Sequence, residues 1–154
     1  MQWLSEQYDR VSVILSGRPF ESVALLLTRF ALAGVFWRSG RTKVVEGSWL
    51  EPSGTTRYLF QEEYSGVPLP AELSMYLATY AEHVFPILLV LGFATRFSAL
   101  SLFFMTMTIQ IFVYPDAWWA AHSLWAAMSL ILISRGAGTF SVDALLSLLR
   151  RGVK

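Results

Sequence analysis

The sequence predicts an all-α polytopic membrane protein, a four-transmembrane-helix bundle with amphipathic helices at its ends. Three observations carry this expectation. Apolar residues fill 55% of the 154 positions and charged residues only 15%, against roughly 25% charged residues in ordinary soluble domains. Four apolar segments, at about 22–44, 71–94, 97–114 and 117–134, approach the ~20 residues that a helix needs to cross a bilayer. Short turn signals, not long polar stretches, separate the last three, which leaves a soluble bundle little polar surface. At this length residues 1–154 read as a single membrane domain.

Composition also excludes. A net charge of +1, with no basic patch interleaved with aromatics, removes the electrostatic case for nucleic acid. Cysteine is absent, which removes thiolate metal sites, disulfide exchange and cysteine nucleophiles. The first twenty residues mix charge with apolar residues and show no small-residue cleavage site, so no cleavable signal peptide is expected.

The elements follow in chain order. WLSEQYDRVSVIL reads as an amphipathic helix lying at the membrane surface, closed by Gly17 and Pro19. Span one leads into a loop, residues 45–70, where TTRYLFQEEY predicts a short helix with a threonine cap. Pro68 and Pro70 precede span two, and Thr95-Arg96 joins it to span three. Pro115-Asp116 joins spans three and four, with Asp116 the expected N-cap. In TFSVDALLSLLRR, Ser141 should cap a last interfacial helix with Val142, Leu145, Leu146 and Leu149 on one side and Arg150-Arg151 at its end.

Basic residues set the orientation. Arg10, Arg18, Arg96, Arg135, Arg150, Arg151 and Lys154 fall on one side of an even-numbered bundle, and only Arg41, Lys43 and Arg57 on the other. Both termini are therefore expected in the cytoplasm, with loop 45–70 outside. Trp37, Trp49, Tyr114, Trp118 and Trp119 would form the outer aromatic belt.

Ionisable residues inside spans are costly and default to function. Arg29 is the exception: about 10 Å from the inner end of its span, with a side chain tilted towards that end, it can snorkel to the surface. Arg38 lies about 9 Å below the outer end of span one and Glu82 about 16 Å below that of span two. Their side chains tilt towards each other across roughly 7 Å of depth, so an Arg38–Glu82 pair is expected, direct or bridged by a ligand. Ala31 and Gly34 share the Arg38 stripe and should allow close helix approach. His83 shares a face with Glu82 and Thr79; Gln110 shares one with Thr106 and Tyr114; His122 shares one with Trp118 and Trp125. A hydrogen bond within its own helix is the bland alternative for His83, and an interfacial position the one for His122.

Together these residues describe a polar pocket in the outer half, walled by Trp37, Phe103, Phe112 and Trp125. Arginine, histidine and glutamine donate to carbonyl or anionic oxygens, and Glu82 exchanges protons. The inventory suits a quinone, an oxidised sulfur anion or a small peptide group. Copper, through His122 with Met75 or Met107, is a further alternative without a supporting ligand spacing. His83 and His122 differ in depth by about 10 Å, too much to ligate one haem. Hydrolase, Walker and dinucleotide motifs are missing.

The strings LLLTRFALAGVFWRSGRTK, LFQEEYSGVPLP, AEHVFPILLVLGFATR, IQIFVYPDAWWAAHSLW and LISRGAG resemble the DoxX family of small four-helix bacterial inner-membrane proteins, from Leu25 to Gly138. Phe93 stands where LGLATR is commonest. FWRSGRTK and IQIFVYPDAW look closest to an HvfX-type branch, which is linked to maturation of copper-binding modified peptides. Other members resemble subunits of thiosulfate:quinone oxidoreductase or associate with redox-defence proteins. The resemblance places the family's pattern on Arg38, Lys43, Glu82, Gln110, Tyr114 and His122.

The function expected is that of a membrane subunit in a redox or copper-binding-peptide maturation system. It would sit in the bacterial inner membrane with a protein partner, and oligomers are compatible with this. Its ligand, quinone-like or a small anion, would meet Arg38, Lys43, Glu82, His83, Gln110, Tyr114, His122 and Trp125. Transport of a small molecule or modified peptide, or scaffolding without a ligand, are the alternatives. No residue pattern marks it as an enzyme acting alone.

Overall fold

A computed structural model describes residues 2–152; Lys154, counted above in the basic excess, lies outside the described residues. Among those residues the chain forms seven α-helices: α1 Gln2–Leu15, α2 Arg18–Lys43, α3 Gly54–Glu62, α4 Ala71–Leu91, α5 Thr95–Phe112, α6 Ser123–Arg135 and α7 Val142–Gly152. A 3-10 turn, Pro115–Ala117, and a π-helical turn, Trp118–His122, lead into α6. Four helical stretches are long and apolar enough to cross a membrane: Arg18–Lys43, Ala71–Leu91, Thr95–Phe112 and Pro115–Arg135.

Local chemistry moves the expected boundaries by a few residues. α2 begins at Arg18, earlier than expected, because Gly17 is extended and Pro19 occupies the first turn, where its missing N–H costs nothing. α4 ends at Leu91. Gly92 there takes a left-handed conformation (φ 65°), and the Phe93 N–H returns to the Leu88 carbonyl, the usual way to close a helix. Ser53, not a threonine, caps α3: its backbone is extended and its Oγ accepts from the Thr56 N–H at 3.1 Å. Asp116 caps nothing. The turn already begins at Pro115, so Asp116 lies inside it, whereas a cap residue must sit just before the first turn.

The four long helices pack in the order α2, α4, α5, α6, with α6 returning to α2. Leu25, Leu32, Phe36, Leu89, Leu102 and Leu132 fill the centre. Small polar residues share it: Ser98, Thr106 and Ser129 are fully buried, and their hydroxyls donate to the carbonyls of Ala94, Leu102 and Trp125 in their own helices. Large apolar residues such as Leu27, Phe30, Phe97, Phe104 and Leu124 face outwards. Lipid is as apolar as leucine, so a membrane bundle gains from small and polar residues inside, not from hiding leucines. This distribution belongs to a multi-pass membrane protein and fits no water-soluble bundle.

One end of the bundle holds α3, loop 45–70 and the 115–122 turns (the loop end). The other holds the Gly92–Ala94 corner and the segments beside α1 and α7 (the terminal end). At the terminal end Arg29 does not snorkel. It is fully buried, donating to the carbonyls of Leu89 at 3.1 Å and Val90 at 3.3 Å and to that of Phe140. The carbonyls at the C-terminal end of α4 carry negative partial charge, which holds the guanidinium inside. Ala94, left-handed with φ 48°, is braced from α7: its N–H and that of Thr95 donate to the two Asp143 carboxylate oxygens at 2.9 and 3.0 Å. Ser141 caps α7 through the Ala144 N–H at 3.1 Å, as expected. Leu145, Leu148 and Leu149 form an exposed apolar face beside Arg150 and Arg151.

Candidate ligand pocket

Ser39 and Lys43 stand four residues apart on α2 and so share a face. Lys43 reaches back along the helix and places Nζ 2.7 Å from Glu82 Oε2 on α4 and 2.9 Å from Ser39 Oγ. Ser39 Oγ in turn donates to Glu82 Oε1 at 3.3 Å. Glu82 therefore pairs with Lys43, not with Arg38. Depth and side-chain tilt suggested Arg38, but adjacent residues of a helix differ by about 100° in direction, and Ser39 takes the direction that meets Glu82. Gly40 sets the register of the two helices: a Cβ there would lie 2.9 Å from His83 Cε1 and 3.0 Å from Glu82 Cβ. Gly34, the expected contact point, has nothing within 4 Å of such a Cβ.

A cavity of about 450 Å³ opens beside this pair at the loop end. Arg38, Ser39, Glu82, Tyr64, Tyr114, His122 and Trp125 line it with Phe36 and other α2 and α5 residues. Arg38 is exposed on its wall and, among the described residues, takes part in no ion pair. Another part of the wall carries a short hydrogen-bonded relay. Gln110 Nε2 donates to the Pro115 carbonyl at 2.6 Å, and His122 Nδ1 lies 2.7 Å from Gln110 Oε1. A carbonyl only accepts, so the Pro115 oxygen fixes the amide's orientation. Gln110 Oε1 is then the acceptor, His122 Nδ1 carries the proton, and neutral His122 keeps a lone pair at Nε2. The imidazole packs on Trp125, centroids 5.0 Å apart, and Trp125 meets Phe36 edge-on at 5.7 Å.

The loop closes the cavity. Tyr64 stacks on Phe60 at 4.4 Å and meets Tyr114 edge-on at 6.2 Å. The Tyr114 hydroxyl donates to the Glu63 carboxylate. Burial, with the charges around it, raises the Tyr64 phenol well above its ordinary pKa, and the Glu63 hydrogen bond raises Tyr114. Both stay neutral donors at physiological pH.

The structure thus gathers Arg38, Glu82, Tyr114, His122 and Trp125 around one cavity, with Lys43 and Gln110 holding two of them in place. His83 lies elsewhere. Its Nδ1 lies 2.7 Å from the Thr79 carbonyl and its ring packs on Trp37 at 5.2 Å, so it fills the α2–α4 seam. Of the expected walls only Trp125 lines the cavity. Trp37 borders an apolar groove between α2 and α4, because the tight Gly40 contact turns that face of α2 away. Ser39 and Tyr64 are among the lining residues that the sequence does not single out. Ser39 carried a signal, standing four residues before Lys43; Tyr64 carried none, because a loop's path is not written in periodicity. Among the described residues no three His, Asp or Glu side chains converge to hold a metal ion.

Four membrane-crossing helices, with a cavity wall braced by a buried lysine–glutamate pair, define a small polytopic membrane protein with a polar cavity at its loop end. Comparison with known proteins gives the family. The DoxX family's sequence profile matches residues 24–115, and the chain belongs to the DoxX family. It is 34% identical over 139 residues to an uncharacterized protein of Haemophilus influenzae, covering 80% of this chain and 83% of that one. No solved structure matches. The profile match includes Arg38, Lys43, Glu82, Gln110 and Tyr114 and stops before His122 and Trp125.

Proposed function

We propose that the chain acts, as one unit, as the membrane subunit of a redox or copper-binding-peptide maturation system, and that it binds a quinone-like or small anionic ligand in the loop-end cavity. The observation that supports this is the charge balance of the wall. Glu82 is already matched by Lys43 at 2.7 Å, while Arg38 faces the same cavity without an ionic partner among the described residues. An uncompensated cation beside a low-dielectric wall favours a ligand that brings oxygen acceptors or negative charge.

The donor set fits a quinone. Arg38 supplies donors to a ring carbonyl, His122 Nε2 accepts from a ring hydroxyl in the reduced form, and Trp125 and Phe36 offer aromatic faces. When bound, such a ring supplies the electron-carrying chemistry that these side chains lack. The residues do not fit a copper centre: one imidazole lines the cavity, and its Nδ1 is committed to Gln110. The copper link is therefore read as belonging to the peptide and not to a resident ion.

In this reading the loop end faces outwards from the bacterial inner membrane and the termini lie in the cytoplasm, in keeping with the basic residues. A protein partner meets the loop end, where Trp49 and Trp119 stand exposed beside Glu46, Glu51 and Glu62. Native mass spectrometry of mildly extracted protein tests the ligand. A quinone or small anion should be carried by the wild type and lost from Arg38→Met. Wild type carrying phospholipid alone, or undiminished ligand in Arg38→Met, overturns the proposal.

A further inference from the structure

A second cavity, of about 230 Å³, lies on the other side of Glu82, between α4 and α5 beneath α3. It shares Glu82, Tyr64 and Ile109 with the loop-end cavity, so the two meet at the buried ion pair. Their chemistries differ. The walls of the second are almost wholly apolar, formed by residues such as Phe60, Ala78 and Met105. At its rim Leu69 and Leu77 are exposed, at 48% and 52%. Leu77 lies on the membrane-spanning α4, where an exposed leucine is in contact with hydrocarbon, so this side of the cavity opens towards lipid. Within it, Ser74 is only 8% exposed and, among the described residues, its Oγ has no hydrogen-bond partner. A buried hydroxyl left unpaired is costly, and here it adds a polar point to a mostly apolar lining.

We infer that this cavity is a lateral portal and chain slot, through which a single-chain amphiphile enters from the bilayer between α4 and α5 and lays its hydrocarbon chain beneath α3, with its oxygen-bearing head past Glu82 in the loop-end cavity, at Arg38. The inference rests on the reading of the loop-end cavity as the head-group site, and it adds the ligand's class and route: a lipid-soluble molecule with one isoprenoid or acyl chain. A water-soluble anion needs only the loop-end mouth. A ligand that spans both cavities has to pass the apolar one, because its chain cannot cross the aqueous side without cost.

Photolabelling in lipid nanodiscs tests the slot without depending on the head group. The probe is a fatty acid with a diazirine near the end of its chain, and the labelled residues are mapped by peptide mass spectrometry. Label is expected on Ser74, Ala78 and Thr108 in the wild type, and its loss is expected in Ala78→Trp, which fills the slot. Thr108→Trp narrows the slot from α5 and guards against misfolding of the first variant, each being checked by its thermal transition. Label confined to Leu69 and Leu77 means ordinary annular lipid and overturns the slot, as does full labelling of Ser74 in both folded variants. A chainless benzoquinone binding to wild type but not to Arg38→Met tests the head-group site separately. Its failure beside intact slot labelling would remove that reading and leave the portal standing.

Discussion

Lys43 Nζ and Glu82 Oε2 lie 2.7 Å apart, with side chains 8% and 2% exposed, and Ser39 Oγ bridges them. Removing one partner of a buried pair leaves an uncompensated charge, at about 3–5 kcal/mol, whereas removing both is often close to neutral. Lys43→Met and Glu82→Leu should each destabilise by that amount and the double variant should recover most of it. Arg38→Met should leave stability unchanged and affect ligand alone. A double-mutant cycle in detergent measures the coupling; additive losses would show the pair to be energetically idle.

Gly92 and Arg29 make the terminal end intolerant of substitution. A Cβ on Gly92 would lie 2.2 Å from Arg29 Nη1, at a φ that L-residues avoid. Gly92→Ala should therefore lower the thermal transition sharply. Arg29→Met removes the guanidinium donor from the carbonyls of Val90 and Phe140, while Leu89 keeps the Gly92 N–H, at about 1–3 kcal/mol, and should loosen the segment before α7. Limited proteolysis near Thr139 reads this directly, and unchanged protection in Arg29→Met would contradict it.

Asp143 caps a helix that lies far from it in sequence. Its carboxylate holds the N–H groups of Ala94 and Thr95, so Asp143→Ala should cost about 1 kcal/mol, as loss of an N-cap does. Hydrogen exchange should rise at Ala94 and Thr95 while the middle of α5 stays protected. Equal exchange in both proteins would remove the cap from the account.

Tyr64 and Tyr114 are both held above their ordinary range, Tyr64 by burial and Tyr114 by Glu63. In the unfolded chain each phenol ionises near pH 10, before it does in the folded protein. Fewer protons are then bound in the unfolded state, so stability falls as pH climbs past about 10. Tyr64→Phe should flatten that alkaline limb in a denaturation series across pH. An unaltered limb would mean that other groups govern it.

Both termini should be cytoplasmic and Gly54 external. A reporter active only in the cytoplasm, fused after Lys154, should be active, and a tag inserted near Gly54 should be accessible from outside. The reverse pattern would invert the bundle and turn the cavity to the cytoplasmic side.

Much of the architecture is legible in the chain, because bilayer thickness sets span length and glycine and proline mark the joints. The four spans, the Ser141 cap and the presence of polar residues inside apolar segments follow from residue order alone. Contact partners do not. Depth placed Arg38 opposite Glu82, yet the choice of Lys43 rests on the rotation of α2 about its axis, and that rotation is set where Gly40 admits His83 and Glu82. Arg29 has an inward destination only because the α4 terminus and the Phe140 segment bring acceptor carbonyls to it. Tyr64 enters the cavity wall through a loop path that no periodicity encodes. Residue order determines which groups lie in the membrane and how deep, because hydrophobicity is summed along the chain. Which of them meet is decided by helix rotation and close packing, properties of pairs of surfaces that exist only once the helices are assembled.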